Sequence, residues 1–176
     1  MNHVTSYALA VLAAFALLCG SLTARAQQPA APKPPCSAPE HRQFDFWLGT
    51  WNVMAGDRQA GTNTIDSILG GCVLREHYTT ARGYEGWSHN AYDAARGRWH
   101  QTWADNQGTL LQLDGGLVDG AMVLEGETIA PTGTVRNRIT WTRLDQGRVR
   151  QHWQTSADSG RTWTNAFDGT YLPAGR

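Results

Sequence analysis

Neutral amides recur among the aromatic residues of four strand-like segments. Of the patterns in the chain, this one most clearly indicates a chemical role, the binding of a molecule by aromatic contact and hydrogen bonds. Residues 98–104, 134–143, 148–155 and 162–171 alternate with a period of two, so side chains of one parity share a face. The bulky parity carries one amide per segment and comprises Trp99, Gln101 and Trp103; Val135, Asn137, Ile139 and Trp141; Val149, Gln151 and Trp153; and Trp163, Asn165, Phe167 and Tyr171. The opposite parity carries mostly Arg, His and Thr. A buried amide without a partner costs about 1–3 kcal/mol, so these four amides need neighbours, water or a ligand.

Two interpretations of these amides stay open. In a filled interior, the four groups satisfy one another. In an open interior, aromatic rings provide contact area and amides orient a bound molecule. The second interpretation predicts a neutral, amphiphilic ligand that contacts Trp103, Trp141, Trp153 and Phe167 and is oriented by Gln101, Asn137, Gln151 and Asn165.

One acid shares the parity of bulky residues in the segment 72–80, where Leu74, Glu76 and Tyr78 alternate. On that register Glu76 faces inward with Tyr78, as a hydrogen-bond acceptor of the ligand site. It is also the one candidate general base if the chain is an enzyme, with Tyr78 or an amide stabilising developing charge. On the opposite register Glu76 is an ordinary exposed side chain.

The sequence contains no recognised motif for binding a metal ion or a nucleotide. Histidines 41, 77, 89, 100 and 152 lack the spacing of zinc ligands, and no phosphate-binding or dinucleotide fingerprint is present. Formal net charge is zero, which argues against a nucleic-acid partner. The sequence therefore predicts no metal or cofactor, and haem bound through His77 or His89 is the alternative.

Residues 156–163 match the Asp-box pattern S-x-D-x-G-x-T-W. Sialidase-type propellers carry this motif repeatedly, as a hairpin turn in which Asp and Ser side chains bond the backbone. A single copy in a chain of 176 residues cannot build a propeller. We therefore interpret it as a structural turn, without glycosidase activity.

Strand-like runs separated by turn signals follow Trp51 almost without interruption. This is typical of an all-β barrel or sandwich, and ten strands with short links predict an up-and-down antiparallel barrel. One short helix is expected over 37–48, with Ser37 as its cap and Pro39 in its first turn. The strands are expected near 50–55, 62–69, 72–80, 84–92, 98–104, 108–114, 117–128, 134–143, 148–155 and 162–171.

The N-terminal region predicts export. An apolar run over 8–18 is too short to span a bilayer, and Ala24-Arg25-Ala26 has the small-x-small form of a signal-peptidase site. We expect a signal peptide over 1–26, a Pro-rich flexible spacer over 27–35 and a single domain over 36–173, in the periplasm or secreted. No membrane span is expected in the mature chain.

Two cysteines stay in the mature chain after cleavage, Cys36 and Cys72. In an oxidising compartment an even pair predicts a disulfide. Two unrelated buried thiols are the alternative.

Gly49-Thr50-Trp51 resembles the G-x-W signature of lipocalins and their calycin relatives. More specifically, residues 44–51, 71–76, 99–108 and 156–163 resemble the DUF1579-type bacterial family. That resemblance implies a calycin-like barrel, often exported, and brings no established activity. One calycin branch, the nitrobindins, holds haem through a histidine near the C-terminus. Here the closing strand has Asn165 and Phe167 instead, which argues against haem.

Three functions therefore remain from the sequence. The favoured one is an exported protein that binds a small molecule in an aromatic and amide-lined cavity. An enzyme using the same cavity through Glu76 is the second. A surface module whose exposed aromatics bind carbohydrate or protein is the third.

Overall fold

A computed structural model describes residues 33–175 and shows ten antiparallel strands closed into a barrel. Each strand pairs with its neighbours in sequence, and the first and last strands pair to close the sheet. The predicted all-β up-and-down barrel is confirmed. The strands are β1 (Gly49–Ala55), β2 (Arg58–Ile68), β3 (Val73–Thr79), β4 (Glu85–Asp93), β5 (Arg98–Asp105), β6 (Leu110–Val118), β7 (Ala121–Ala130), β8 (Gly133–Arg143), β9 (Val149–Ser156) and β10 (Thr164–Pro173).

The connections gather at two ends of the barrel because successive strands run in opposite directions. We call one the open end, which carries the connections 56–57, 80–84, 106–109, 131–132 and 157–163. We call the other the plugged end, which carries 69–72, 94–97, 119–120 and 144–148.

Two short 3-10 helices, Pro39–Arg42 and Asp45–Trp47, form the segment before β1. A single helix over 37–48 was the expectation, and Pro39 does lie in the first turn. Ala38 rather than Ser37 is the N-cap, and it makes no side-chain capping bond. Further 3-10 turns lie at Leu69–Gly71 and Asp145–Gly147.

The segment that precedes β1 packs its aromatic residues into the plugged end of the barrel. We call Phe44 and Trp47 of this segment the aromatic plug. Phe44 and Trp47 are both 0% exposed and stack on each other with ring centroids 4.9 Å apart. Trp141 lies 5.2 Å from Phe44 and 5.3 Å from Trp47, so the plug joins the inner wall. Trp51 donates its indole N–H to the Trp47 carbonyl at 3.0 Å.

A disulfide between Cys36 and Cys72 ties this segment to the connection between β2 and β3, with Cα atoms 5.1 Å apart. The predicted pairing is confirmed. Arg42 adds a second tie by donating from Nη2 to the Gly71 carbonyl. None of the helices within residues 33–175 has the length and apolar character needed to cross a membrane. The predicted leader over 1–26 and most of the spacer over 27–35 lie outside the described residues.

One predicted strand boundary is wrong. The expectation of a strand over 117–128 crosses the turn at Asp119-Gly120, which separates β6 from β7. Gly115 and Gly116, which lie between the expected strands 108–114 and 117–128, are both within β6. A Cβ at Gly115 would overlap the Val123 carbonyl of the neighbouring strand, so this glycine allows close strand approach rather than a turn.

Candidate functional site

A cavity of about 250 Å³ lies at the open end of the barrel, opposite the aromatic plug. That is the volume of roughly eight water molecules at about 30 Å³ each, which suits a compact ligand of one or two rings. Its lining combines aromatic rings with a few polar groups: Glu76, Tyr78, Thr80, Tyr84, Gln101, Trp103, Leu111, Ile139, Gln151, Trp153, Ala166, Phe167 and Tyr171.

The indole nitrogens of the cavity wall are already engaged. Trp153 Nε1 donates to Asn137 Oδ1 at 3.0 Å, and Trp103 Nε1 lies 3.3 Å from Asp105 Oδ2. The Tyr84 hydroxyl donates to the same Asp105 oxygen at 2.9 Å. These three rings therefore offer a ligand mainly their apolar faces.

A chain of hydrogen bonds runs around the inner wall and centres on Glu76. Glu76 Oε1 accepts from Asn63 Nδ2 at 2.7 Å, and Oε2 accepts from Ser88 Oγ at 2.6 Å. Beyond Asn63, the amide also reaches the Tyr171 hydroxyl at 3.1 Å, and that hydroxyl donates to Gln151 Oε1. Strands β2, β3, β4, β9 and β10 are thereby joined through side chains.

On the Ser88 side of Glu76, the Leu74 carbonyl determines which atoms donate and which accept in the chain of hydrogen bonds. Asn90 Nδ2 donates to the Leu74 carbonyl at 3.2 Å, so its Oδ1 must be the acceptor of the Gln101 amide at 2.8 Å. Asn90 Nδ2 also donates to Ser88 Oγ at 2.8 Å. Ser88 then has its proton available for Glu76, so this half of the chain favours the ionised carboxylate.

Burial raises the pKa of Glu76 to about 7, and the hydrogen bonds from Ser88 and Asn63 offset part of that rise. The acid is 4% exposed. Asn63 Oδ1 has no partner among the described residues, so turning this amide over would let it accept the proton of the neutral acid. The site therefore accommodates both protonation states.

The two tyrosines nearest the acid stay neutral. Burial raises the pKa of Tyr171 well above its ordinary value, and the Glu76 charge adds to the rise. The pKa of Tyr78 is raised by burial and then by Glu76. Both phenols therefore act as hydrogen-bonding groups, while Glu76 is the cavity group that titrates near neutral pH.

Seven of the ten predicted ligand-binding residues line this one cavity. They come from four different strands and are Glu76, Tyr78, Gln101, Trp103, Gln151, Trp153 and Phe167. Alternation along each strand, read with the bulky parity inward, brings them together.

Two predicted residues are buried elsewhere. Trp141 is 1% exposed and packs on the aromatic plug rather than on the cavity. Asn137 is 2% exposed and is occupied by the Trp153 indole, by Thr128 Oγ1 at 3.0 Å and by the Val135 carbonyl. Neither lines the cavity, so their assignment as ligand-binding residues is corrected to a structural role.

Asn165 is exposed, and its predicted inward orientation is wrong. The register of β10 against β9 shifts between Asn165 and Phe167, so Asn165 pairs with Gln154 on the outer face while Phe167 pairs with Trp153 inside. The extra residue is Ala166, a bulge that reverses the parity of everything before it. Trp163 is likewise outside, with the Arg138 guanidinium 4.0 Å from its ring centroid.

Sequence reasoning missed the polar residues that support Glu76. Asn63 of β2 and both Ser88 and Asn90 of β4 are at most 1% exposed. Their strands do alternate, but the buried inward positions are Gly86, Ser88 and Asn90 in β4, and Gly61 and Asn63 beside the single aliphatic Ile65 in β2. Such a pattern gives little hydrophobic signal of an inner face.

The Asp-box segment forms the expected hairpin turn at the open end. Asp158 accepts from the Thr162 backbone N–H at 2.9 Å and from the Thr162 hydroxyl at 2.6 Å. Ser156 Oγ accepts from the Gly160 N–H at 2.9 Å. The two bonds from Thr162, together with one from the Ser156 hydroxyl, lower the pKa of Asp158 to about 2, and all of these bonds serve the turn itself.

The histidines considered as haem ligands lie on the outer face. His77 stacks on Trp87 with centroids 3.8 Å apart and bonds Glu85 at 2.7 Å, while His89 is exposed. Among residues 33–175, no group of three or more His, Cys, Asp or Glu side chains is arranged to hold a metal ion.

No protein-family model matches the chain, and no curated protein shows a significant match to it. The resemblance to the DUF1579 type therefore stays a prediction.

Proposed function

We propose that this chain is an exported binding protein that holds a small amphiphilic molecule in the cavity at the open end of its barrel. The observation that carries the proposal is the cavity itself, where aromatic faces surround inward hydrogen-bonding groups. The disulfide supports the export part of the proposal, because such bonds persist in oxidising compartments. Membership of the calycin-like DUF1579 type is part of the same proposal.

The distribution of burial argues against a barrel filled by its own side chains. Phe44, Trp47 and Trp141 are almost fully buried at the plugged end. Trp153 and Phe167, at the open end, are only partly buried and pack against that core from one side. Their remaining surface faces the cavity, where a ligand ring would cover it.

The proposal is tested with 2-naphthol, an amphiphilic probe of two rings, by ligand-observed NMR and calorimetry. Trp153→Ala should weaken binding by about 1–3 kcal/mol, because apolar contact area is lost. Trp87→Ala is the matched control, since Trp87 is 40% exposed on the outer face. No binding to the native protein, or equal losses in the two variants, would reject the proposed site.

A second candidate function is favoured by one observation, the buried Glu76 with a pKa of about 7 inside the cavity. A carboxylate with that pKa is suited to general base catalysis at neutral pH. The test is proton abstraction from 5-nitrobenzisoxazole, in which loss of the ring C–H proton opens the N–O bond. Turnover that needs Glu76 and survives Glu127→Gln on the outer face would support an enzyme; an equal rate in Glu76→Gln would reject it.

No comparable observation favours a surface-binding module. Trp87 is the most exposed tryptophan of the described strands, but His77 covers one face of its ring. Arg75 lies 5.5 Å from the centroid of the same ring.

A further inference from the structure

The cavity contains a carboxylate and, among the described residues, no basic side chain lines it. Both partners of Glu76, Asn63 and Ser88, are neutral donors. Arg75, the adjacent residue in β3, pairs instead with Asp66, with 2.7 Å between Nη2 and Oδ2 on the partly exposed outer face. Within residues 33–175, the negative charge of Glu76 is therefore left without a counter-charge in the cavity.

From this arrangement we infer that the cavity takes a small organic cation, a protonated amine carried by an apolar body, with its ammonium group at Glu76. The inference rests on the proposed binding function and changes one feature of it. The sequence predicted a neutral ligand because amides dominate the inner parity, whereas the structure places the acid within a chain of hydrogen bonds that includes two of those amides, Gln101 and Gln151.

The uncommitted hydrogen-bonding atoms at this part of the cavity favour a donor. Because the Leu74 carbonyl orients Asn90, Gln101 must use its Nε2 for Asn90, and its Oε1 has no partner within residues 33–175. Each Glu76 oxygen accepts one hydrogen bond and keeps a further lone pair. A carboxylate and an amide carbonyl together match an ammonium group, which has three donors and no acceptor.

The aromatic lining suits a cation as well as an apolar body. Tyr78, Trp103, Trp153, Phe167 and Tyr171 all line the cavity. The negative faces of such rings attract a cation within about 6 Å of the ring centroid, and more strongly where water is excluded. An anion of the same size would instead meet the charge of Glu76 with no compensating base.

Among the groups that face one another at this point in the cavity, Glu76 is the one whose charge changes near neutral pH. The others are Asn63 from β2, Ser88 from β4, Tyr171 from β10 and Tyr78 on its own strand, and both tyrosines have a raised pKa. Cation binding should therefore follow the ionisation of Glu76 between pH 6 and pH 8.

Benzylamine and benzyl alcohol separate the two ligand classes, because they share one ring and differ in charge. Titration calorimetry with the disulfide-bonded protein at pH 8 should show benzylammonium binding at least about tenfold more tightly than benzyl alcohol. Glu76→Gln should remove that preference and leave benzyl alcohol within about threefold, while Glu127→Gln, an exposed acid on the outer face, should leave both affinities unchanged.

A pH series on the native protein provides a readout that needs no variant. Benzylammonium affinity should fall about tenfold from pH 8 to pH 6 as the acid takes up its proton, whereas benzyl alcohol should not respond. Equal affinities for the two probes, or a benzylammonium affinity that does not depend on pH, would overturn the inference and leave the proposed function standing. Failure of both probes and of 2-naphthol to bind would overturn the proposed function as well.

Discussion

Ser88 Oγ lies 2.6 Å from Glu76 Oε2 and donates to it, on the neighbouring strand and deep inside the barrel. The buried acid is thus held by a hydroxyl whose own acceptor position is filled by Asn90. Ser88 stabilises the charged form, and burial opposes it more strongly. The balance between these two effects brings the pKa of Glu76 to about 7, so its protonation state changes near neutral pH.

The free energy of unfolding should depend on pH through Glu76. Its pKa rises from an ordinary 4.5 to about 7 on folding, so the folded state holds the proton more tightly than the unfolded state. Native stability should therefore fall as pH rises through this window, by about 3 kcal/mol, and level off above it. Urea unfolding at pH 5 and pH 8 should show Glu76→Gln gaining this amount relative to the native protein, and Glu127→Gln gaining none. If the difference in unfolding free energy between the native protein and Glu76→Gln is the same at both pH values, the raised pKa of Glu76 is contradicted.

Loss of the Cys36–Cys72 disulfide should destabilise the barrel through the plug. The bond closes a loop with a sequence separation of 36, for which chain entropy predicts about 4 kcal/mol. Urea unfolding of the Cys36→Ser/Cys72→Ser double variant should show this loss, and reduction of the native protein should reproduce it. Unchanged stability in both experiments would mean that aromatic packing and the Arg42 bond to Gly71 hold the plug without help from the disulfide.

Gln151 and Gln154 lie on the same strand with opposite orientations, which makes them a matched pair. Gln151→Leu removes the acceptor of the Tyr171 hydroxyl and should reduce stability by about 1–3 kcal/mol, because the buried proton of that hydroxyl is left without an acceptor. Gln154→Leu, on the outer face beside Asn165, should change stability by less than about 0.5 kcal/mol. Thermal unfolding of the two variants measures this contrast. A larger loss in Gln154→Leu would contradict the register of β9 and β10.

Gly86 should control the shape of the cavity. A Cβ added there would overlap the ring of Trp103, so Gly86→Ala must displace this indole. We expect at least about tenfold weaker 2-naphthol binding and a shift of tryptophan fluorescence, because the displaced ring occupies cavity volume. Gly116→Ala is the control, since a Cβ there meets nothing within 4 Å and the residue also lies in a strand. Unaltered binding in Gly86→Ala would place the ligand away from Trp103.

Sequence alternation predicted much of the cavity because strand periodicity is a local property. The parity of Trp99, Gln101 and Trp103 follows from their spacing alone, and β5 preserves it. The same argument placed Gln151 and Trp153 on one inner wall. The Cys36–Cys72 disulfide could also be predicted from the sequence, because two cysteines that remain in an oxidising compartment can pair in only one way.

Where alternation failed, the cause was a single residue or an absent hydrophobic signal. The bulge at Ala166 turned Asn165 outward, and such a bulge is set by the pairing of β10 with β9 rather than by the residues of β10. Ser88 and Asn90 left no pattern to recognise, because small polar side chains are buried there only through their bonds to other strands.

The amino-acid sequence by itself determined that strands would form, that aromatic side chains would share one face and that one acid could join them. Only the tertiary structure decided that Trp141 packs on the plug and that, within the part of the chain it describes, Glu76 has no basic partner in the cavity and Gln101 Oε1 accepts no hydrogen bond. Each of these depends on residues distant in the chain: Phe44 and Trp47 for the plug, and Leu74 and Asn90 for the orientation of Gln101. Strand formation depends on neighbours within a few positions, whereas the charge and donor balance of a site is a sum over strands that only the closed barrel brings together.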